Sequence, residues 1–137
     1  MKNVLLVGLG EWGKVVHRSL KQIKSIKKIL IIKSRKSKKN ANLDDIEWVI
    51  IAANNQNHFK LVKKYLNLKI NVFCEKPLTL KIKDSLKLYK IARRNRCKVY
   101  VSDVENYKKI KLSIKQKNEI SRSKFSITWP ELVPIAT

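Results

Sequence analysis

The chain has 137 residues, of which 44% are hydrophobic, and its 32 lysine and arginine side chains against 10 carboxylates give a formal net charge of +22. This length fits about one domain, and no apolar run approaches the ~20 residues that a membrane helix needs, so the composition argues against a membrane-spanning protein. The basic residues are spread along the whole chain with no zinc finger, recognition helix or RNP-type strand, so we expect no specific nucleic-acid partner, only non-specific adhesion at low salt.

The first predicted strand, residues 3–7, leads through a glycine-rich loop into a predicted helix, residues 14–24. Gly8, Gly10 and Gly13 have the spacing of a dinucleotide site, in which the first glycine permits a tight turn, the second admits a pyrophosphate and the third lets the helix pack closely. Free N–H groups at the start of the helix attract the anion. Taken alone, this segment is also compatible with a glycine-rich turn between a strand and a helix that binds no ligand. We expect the cofactor to contact Gly8, Gly10, Glu11, Trp12 and Gly13.

Short runs rich in valine and isoleucine predict four more strands, at residues 28–33, 47–52, 70–74 and 98–102. Helical spacing predicts helices at 57–66 and 80–95, the latter with Thr79 as its cap and with Ile82, Leu86 and Tyr89 facing inward. This alternation predicts an α/β fold, a Rossmann-like doubly wound parallel sheet with right-handed crossovers.

The connection between the second and third predicted strands is short. It has only about a dozen residues and no apolar helical stripe, so we expect the helix after strand 2 to be missing. The predicted strand order is 2-1-3-4-5, with the cofactor at the switch point between the first and third strands. The edge beside strand 2 would be thinly covered, which favours a homo-oligomer or a companion chain.

Cys74 and Cys97 lie far apart in the sequence, with no CxxC pair and no nearby histidine. We therefore expect no metal site. Both are predicted to be small strand residues in a reducing compartment, and the cytoplasm is the expected location.

Three segments carry a family resemblance: GLGEWG at 8–13, WVIIAANNQNH at 48–58 and VFCEKPL at 72–78. In order and spacing they resemble the N-terminal half of the Gfo/Idh/MocA oxidoreductases, the family of glucose-fructose oxidoreductase and inositol dehydrogenase. In having a tryptophan inside the glycine loop, the chain resembles the members that oxidise nucleotide-linked sugars. The resemblance implies an NAD(P)-binding domain at 1–107, followed at 108–137 by a linking helix and the first strand of a C-terminal substrate domain that is otherwise absent.

The end of the second strand decides between NAD and NADP, because an acidic side chain there binds the ribose 2′-hydroxyl and repels a 2′-phosphate. This chain has no acid there. Instead Ser34, Arg35 and Lys36 follow the glycine loop by about 20 residues, where arginine can clamp a phosphate. NADP is therefore favoured, with NAD possible, although a solvated basic loop is the alternative interpretation.

The ends of the third and fourth strands supply the remaining candidates. Ala53, Asn54 and Asn55 are expected to form the far wall of the cofactor cleft. His58, at the entry of the next helix, is also expected to contact the cofactor, and a purely structural packing role is the alternative. Glu75, Lys76 and Pro77 end the fourth strand at the same edge and are expected to contact the cofactor. The resemblance implies that Lys76 lies at the reacting carbon. It also implies that the proline bond is often cis and that Lys76 is the catalytic residue. The alternative for Lys76 is a structural pair with Glu75.

Two interpretations of function follow. The first is an NAD(P)-dependent oxidoreductase that transfers hydride between the nicotinamide and a secondary alcohol of a sugar or nucleotide sugar, with the missing acid–base groups supplied by another subunit. The second is a truncated, non-catalytic NADP-binding remnant, or a subunit that needs a partner chain.

Overall fold

The computed structural model describes residues 2–33 and 42–102. In these residues the chain forms, in order, β1 (Lys2–Val7), α1 (Glu11–Lys21), β2 (Ile26–Ile32), β3 (Trp48–Ile51), α2 (Asn55–Asn67), β4 (Asn71–Glu75), α3 (Ile82–Asn95) and β5 (Val99–Ser102). The predicted domain boundary at residue 107, the predicted segment 108–137 and the candidates Ser34, Arg35 and Lys36 lie outside the described residues. So does most of the connection in which a helix was expected to be missing.

The five strands form one parallel sheet in the order β2-β1-β3-β4-β5. This order confirms the predicted Rossmann-like topology. The register pairs Val7 of β1 with Ile51 of β3, and Ile51 with Cys74 of β4. The carboxyl ends of these three strands therefore lie level at one edge of the sheet, with the switch of strand order between β1 and β3.

Both faces of the sheet are buried by helices. On one face Val4, Leu6 and Ile50 pack with Leu20 of α1. The other face packs against α2 and α3, in a core built from Leu5, Val7, Ile32, Val49, Ile51, Val72 and Cys74 of the strands and from Val62, Tyr65, Leu66, Leu88 and Ala92 of the helices. Strands that are buried on both faces read as unbroken apolar runs, which is why these segments show no polar alternation.

Two helices differ from the prediction, one in the residue at which it begins and the other in the face that it buries. α1 begins at Glu11 instead of residue 14, directly after the glycine turn. In α3 the predicted inward residue Tyr89 is half-buried against the core, but Ile82 and Leu86 are 83% and 57% exposed, whereas Leu88 and Ala92 are buried. Two apolar stripes are available on this helix. Packing on α2 and the sheet selected the one that holds Leu88, which periodicity alone could not decide.

Thr79 does not cap α3 as predicted, because the N-cap is Lys81 and its side chain forms no capping bond. The Thr79 hydroxyl instead donates to the Lys81 carbonyl at 2.7 Å and lies 2.6 Å from the Ser85 hydroxyl. Cys97 lies between α3 and β5, so its prediction as a strand residue was wrong. In residues 2–33 and 42–102 no helix is long and apolar enough to cross a bilayer.

We expect the free energy of unfolding to fall as the pH rises from about 9 to about 12, partly because of Cys74. Burial, aided by the charge of Glu75, raises the pKa of the Cys74 thiol from 9.0 to about 12. The folded protein therefore holds this proton more tightly than the unfolded chain. The thiol's contribution is complete below pH 9 and is lost as the pH approaches 12, on the order of 4 kcal/mol.

Urea unfolding at stepped pH measures this effect. A Cys74→Ala protein should lose less stability across the alkaline range than the wild type, while the control Cys97→Ala, at a half-buried position, should follow the wild type more closely. Burial also raises the pKa values of Tyr65 and Tyr89, so some alkaline slope remains in every variant. An unchanged slope in Cys74→Ala would contradict the assignment.

Candidate functional site

The turn between β1 and α1 is packed so tightly that two of its glycines have no room for a side chain. Gly8 has φ +100°, and a Cβ there would lie 2.3 Å from the Ala52 carbonyl oxygen of the neighbouring strand end. A Cβ on Gly13 would lie 2.4 Å from the carbonyl oxygen of Gly8. The turn therefore packs directly against the end of β3, and α1 packs directly against the turn.

Gly10 differs, because a Cβ there would meet no protein atom within 4 Å. It is the N-cap of α1, it offers no side-chain cap, and its carbonyl accepts the first helical bond, from the Lys14 amide at 2.9 Å. The first turn of α1 thus presents backbone N–H groups toward open space. Packing inside the described protein gives no reason for glycine at this position. The bare loop and the uncapped helix start fit the pyrophosphate of a dinucleotide.

Two side chains flank this loop on the first turn of α1. Trp12 is 51% exposed. The Glu11 carboxylate is also exposed and is 3.0 Å from the ammonium of Lys14, so this pair contributes little to stability. Any contact of Glu11 with an anionic ligand would come from its backbone N–H, since the carboxylate repels a phosphate.

The segment after β3 forms the next part of the sheet edge. Asn54 is the N-cap of α2, and its side-chain oxygen accepts from the Gln56 amide at 3.4 Å, a long bond. Asn54 and Asn55 are exposed and Ala53 is half-buried. The structure therefore brings this predicted wall beside the glycine turn, since Gly8 is in contact with Ala52 and Ala53.

His58 lies behind this wall, not on its surface. Its side chain is fully buried. Its Nδ1 is 2.7 Å from the Pro77 carbonyl oxygen and its Nε2 is 2.9 Å from the Ala53 carbonyl oxygen. Both ring nitrogens are thus engaged with backbone, and neither is available to a ligand. The sequence placed His58 near the wall, but only the structure reveals these two partners.

The Glu75-Lys76-Pro77 segment ends β4 at the same edge, and the Lys76–Pro77 bond is cis, as the resemblance implied. Glu75 is only 9% exposed, whereas Lys76 is exposed. Within the described residues the two form no ion pair with each other. Glu75 is buried at the end of β4, whereas Lys76 follows the strand and lies in solvent, so the two side chains occupy different surroundings.

Sequence reasoning did not single out Ser102. The register pairs this residue of β5 with Glu75, so a hydroxyl lies at the same edge. Its position at the end of the last predicted strand was the available signal. In residues 2–33 and 42–102 no group of three or more histidine, cysteine, aspartate or glutamate side chains is arranged to hold a metal ion.

Comparison with solved structures shows the same fold in other proteins. Biliverdin reductase from Synechocystis sp. PCC 6803, solved with biliverdin and NADP+, is 20% identical with a TM-score of 0.66, and the match covers 77% of this chain and 39% of that one. An NAD-binding protein from Listeria innocua is 20% identical with a TM-score of 0.63, covering 74% and 35%. A protein proposed to be a myo-inositol dehydrogenase from Sinorhizobium meliloti 1021 is 18% identical with a TM-score of 0.64, covering 74% and 36%.

In each of these matches this chain spans less than two fifths of the other chain's length. A comparison with curated proteins finds no match. A family model does match: that of the Gfo/Idh/MocA proteins, an oxidoreductase family with an NAD-binding Rossmann fold, over residues 2–103. Because this match covers most of the sequence and agrees with the geometry of the sheet edge, the chain belongs to the Gfo/Idh/MocA oxidoreductase family and has its NAD(P)-binding Rossmann fold.

Proposed function

We propose that this chain binds NADP at the carboxyl edge of its sheet and serves in hydride transfer between the nicotinamide and a secondary alcohol of a sugar or nucleotide sugar. The observation that carries the proposal is the contrast between the glycines. Gly8 and Gly13 are required by packing, but Gly10 faces open space at an uncapped helix start. A ligand that touches the backbone there accounts for the glycine at position 10.

In this proposal the backbone N–H groups of Gly10, Glu11 and Trp12 hold the pyrophosphate. Their hydrogen bonds go to charged oxygens, which makes them stronger than bonds between neutral groups. The segment from Ala53 to Asn55 would border the nicotinamide ribose, and Glu75 ends β4 at the same sheet edge. The wall and the loop are held in register because Gly8 packs on Ala52.

The preference for NADP rests on the residues after β2. Lys33 and the following Ser34, Arg35 and Lys36 include no acid that would repel a 2′-phosphate. The guanidinium of Arg35 would bind the phosphate through two parallel hydrogen bonds, and Lys36 would add charge. The similarity to a reductase that was solved with NADP+ supports this choice.

Lys76 is the proposed catalytic residue. When bound, the nicotinamide supplies the hydride acceptor. The Nζ of Lys76 would donate a hydrogen bond to the substrate hydroxyl oxygen and stabilise the negative charge that develops there as the hydroxyl proton passes to an acid–base group of another subunit. Lys76 is exposed at the edge and forms no ion pair with another described residue, which supports this contact.

The second candidate is an NADP-binding subunit that is not catalytic by itself. The observation that favours it is coverage, since the chain spans 35% to 39% of the solved chains to which it is similar. In this case another copy or a companion chain supplies the substrate pocket and the group that takes the hydroxyl proton. Such an assembly would act in the cytoplasm, where NADP is plentiful.

Cofactor binding is tested by titrating NADPH and NADH while tryptophan emission is recorded. We expect quenching of Trp12 and tighter binding of NADPH. An Arg35→Ala protein should lose about 1 to 3 kcal/mol of NADPH affinity, because a hydrogen bond to a charged group is lost, and should bind NADH as before.

The chain also contains Trp48 and Trp129, so a Trp12→Phe protein provides the control. It should bind NADPH, measured by calorimetry, without the emission change. Equal loss of both cofactors in Arg35→Ala would refute the role of Arg35. The absence of heat with either cofactor in the wild type would refute the proposed function as a whole.

A further inference from the structure

A continuous line of contacts joins the glycine turn to the Lys76 turn. Gly13 packs on the carbonyl of Gly8, and Gly8 packs on the backbone of Ala52 and Ala53. The Ala53 carbonyl then contacts His58 Nε2 at 2.9 Å, and His58 Nδ1 contacts the Pro77 carbonyl at 2.7 Å. His58 is the side-chain link in this line, and the remaining links are backbone.

The chemistry of the ring makes this link specific. A carbonyl oxygen can only accept, so each ring nitrogen that bonds to one must do so as an N–H donor. A neutral ring donates to one of the two carbonyls, and a protonated ring donates to both. Because the ring is fully buried, no water is in contact with it to replace these partners if the ring is removed.

The position of the link matters because Pro77 directly follows Lys76. β4 ends at Glu75, so Lys76 lies just outside the hydrogen-bonded sheet. The Thr79 hydroxyl bonds to Lys81 and Ser85, farther along the chain and away from β3. The contact of His58 with the Pro77 carbonyl therefore ties the backbone at Lys76 to the wall at Ala53.

We propose that His58 is a positioning residue that sets the distance between the Lys76 turn and the cofactor wall. The role of Lys76 in this inference rests on the proposed function. The clamp itself is a property of the fold: the imidazole lies between the Ala53 and Pro77 carbonyls, just past the ends of β3 and β4, and donates a hydrogen bond to at least one of them. His58 would then influence the nicotinamide half of the cofactor site without contacting the cofactor.

The first test measures the hydrogen bonding of His58 and the order of the Lys76 backbone without any cofactor. In the wild type, NMR of the histidine side chains should detect a His58 ring N–H proton that is protected from exchange with water, and none for the half-buried His17. Backbone relaxation should give the Lys76 amide an order parameter near the rigid value of about 0.85, and in His58→Leu this value should fall below about 0.6. The Leu5 amide in β1 should stay rigid in both proteins.

Two further variants make this test specific. His58→Gln keeps an amide donor and should restore part of the order at Lys76, whereas His17→Leu should behave as the wild type. If His58→Leu does not fold, the wild-type ring proton and the Gln variant decide the question. An unprotected His58 ring proton, or a Lys76 amide that stays rigid when the donor is removed, overturns the proposal.

The second test uses two ligands, NADPH and 2′-phospho-ADP-ribose, which lacks the nicotinamide. His58→Leu should weaken NADPH about tenfold and leave the shorter ligand within about twofold. Equal weakening of both ligands, or of neither, overturns the positioning role. Failure of the wild type to bind either ligand refutes the proposed function instead, and the order parameter of Lys76 still decides whether the clamp exists.

Discussion

A Gly8→Ala protein is expected to lose about 3 kcal/mol or more of its free energy of unfolding, because unfavourable backbone strain adds to overpacking. The φ of +100° at this position is one that side chains rarely adopt. The added Cβ would also lie 2.3 Å from a backbone oxygen of Ala52, and backbone cannot move aside as the end of a side chain can. Either the turn or the end of β3 must shift.

A Gly10→Ala protein is the matched comparison. No protein atom lies within 4 Å of its added Cβ, so we expect the free energy of unfolding to stay within about 1 kcal/mol of the wild type. Cofactor affinity should nevertheless fall by at least about tenfold, because the methyl group occupies the space in which a pyrophosphate would approach the backbone.

Urea unfolding and NADPH calorimetry on the two variants separate the two roles. The expected pattern is crossed, since Gly8→Ala damages the fold and Gly10→Ala damages only the binding of the cofactor. A Gly10→Ala protein that binds NADPH as tightly as the wild type would remove the main support for the proposed site. A fully stable Gly8→Ala protein would show that the turn is not packed as described.

Replacement of Lys76 by methionine should lower kcat for alcohol oxidation by about 10²- to 10³-fold, the usual effect of removing one donor that stabilises developing charge. Methionine keeps most of the aliphatic length and removes the ammonium. The affinity for NADPH should change by less than about tenfold, because the pyrophosphate contacts lie at the other end of the site.

The control is Lys90→Met, which removes a similar exposed charge from the second half of α3, farther from the carboxyl edge of the sheet. Steady-state rates would be measured with a panel of sugar alcohols and nucleotide sugars on the full chain, together with any subunit that copurifies. Equal rates for the Lys76→Met and wild-type proteins would contradict the catalytic role. A wild type that binds NADPH but turns over none of the panel would favour the non-catalytic subunit.

The sequence by itself determined the architecture. Runs such as 4–7 and 49–51 are short, wholly apolar and contain valine or isoleucine, which is typical of strands buried on both faces. The strand order followed from the short second crossover and the glycine loop. The candidate residues could also be placed at one sheet edge, because parallel strands present their carboxyl ends together.

Local patterns could not determine how the elements meet. The face that α3 buries depends on packing against α2 and the sheet, so periodicity favoured Ile82 and Leu86 where the structure buries Leu88 and Ala92. The start of α1 depends on the tight turn at Gly8 and Gly13, whose contacts reach across to another element.

The same limit applies to the candidate site. The sequence showed only that His58 lies near the start of a helix. The tertiary structure brings the Ala53 and Pro77 carbonyls within hydrogen-bond distance of its two ring nitrogens. Ser102 gained a place beside Glu75 only through the strand register. Residue type and spacing act along the chain, whereas hydrogen bonds between distant segments depend on where the packed core places them in space.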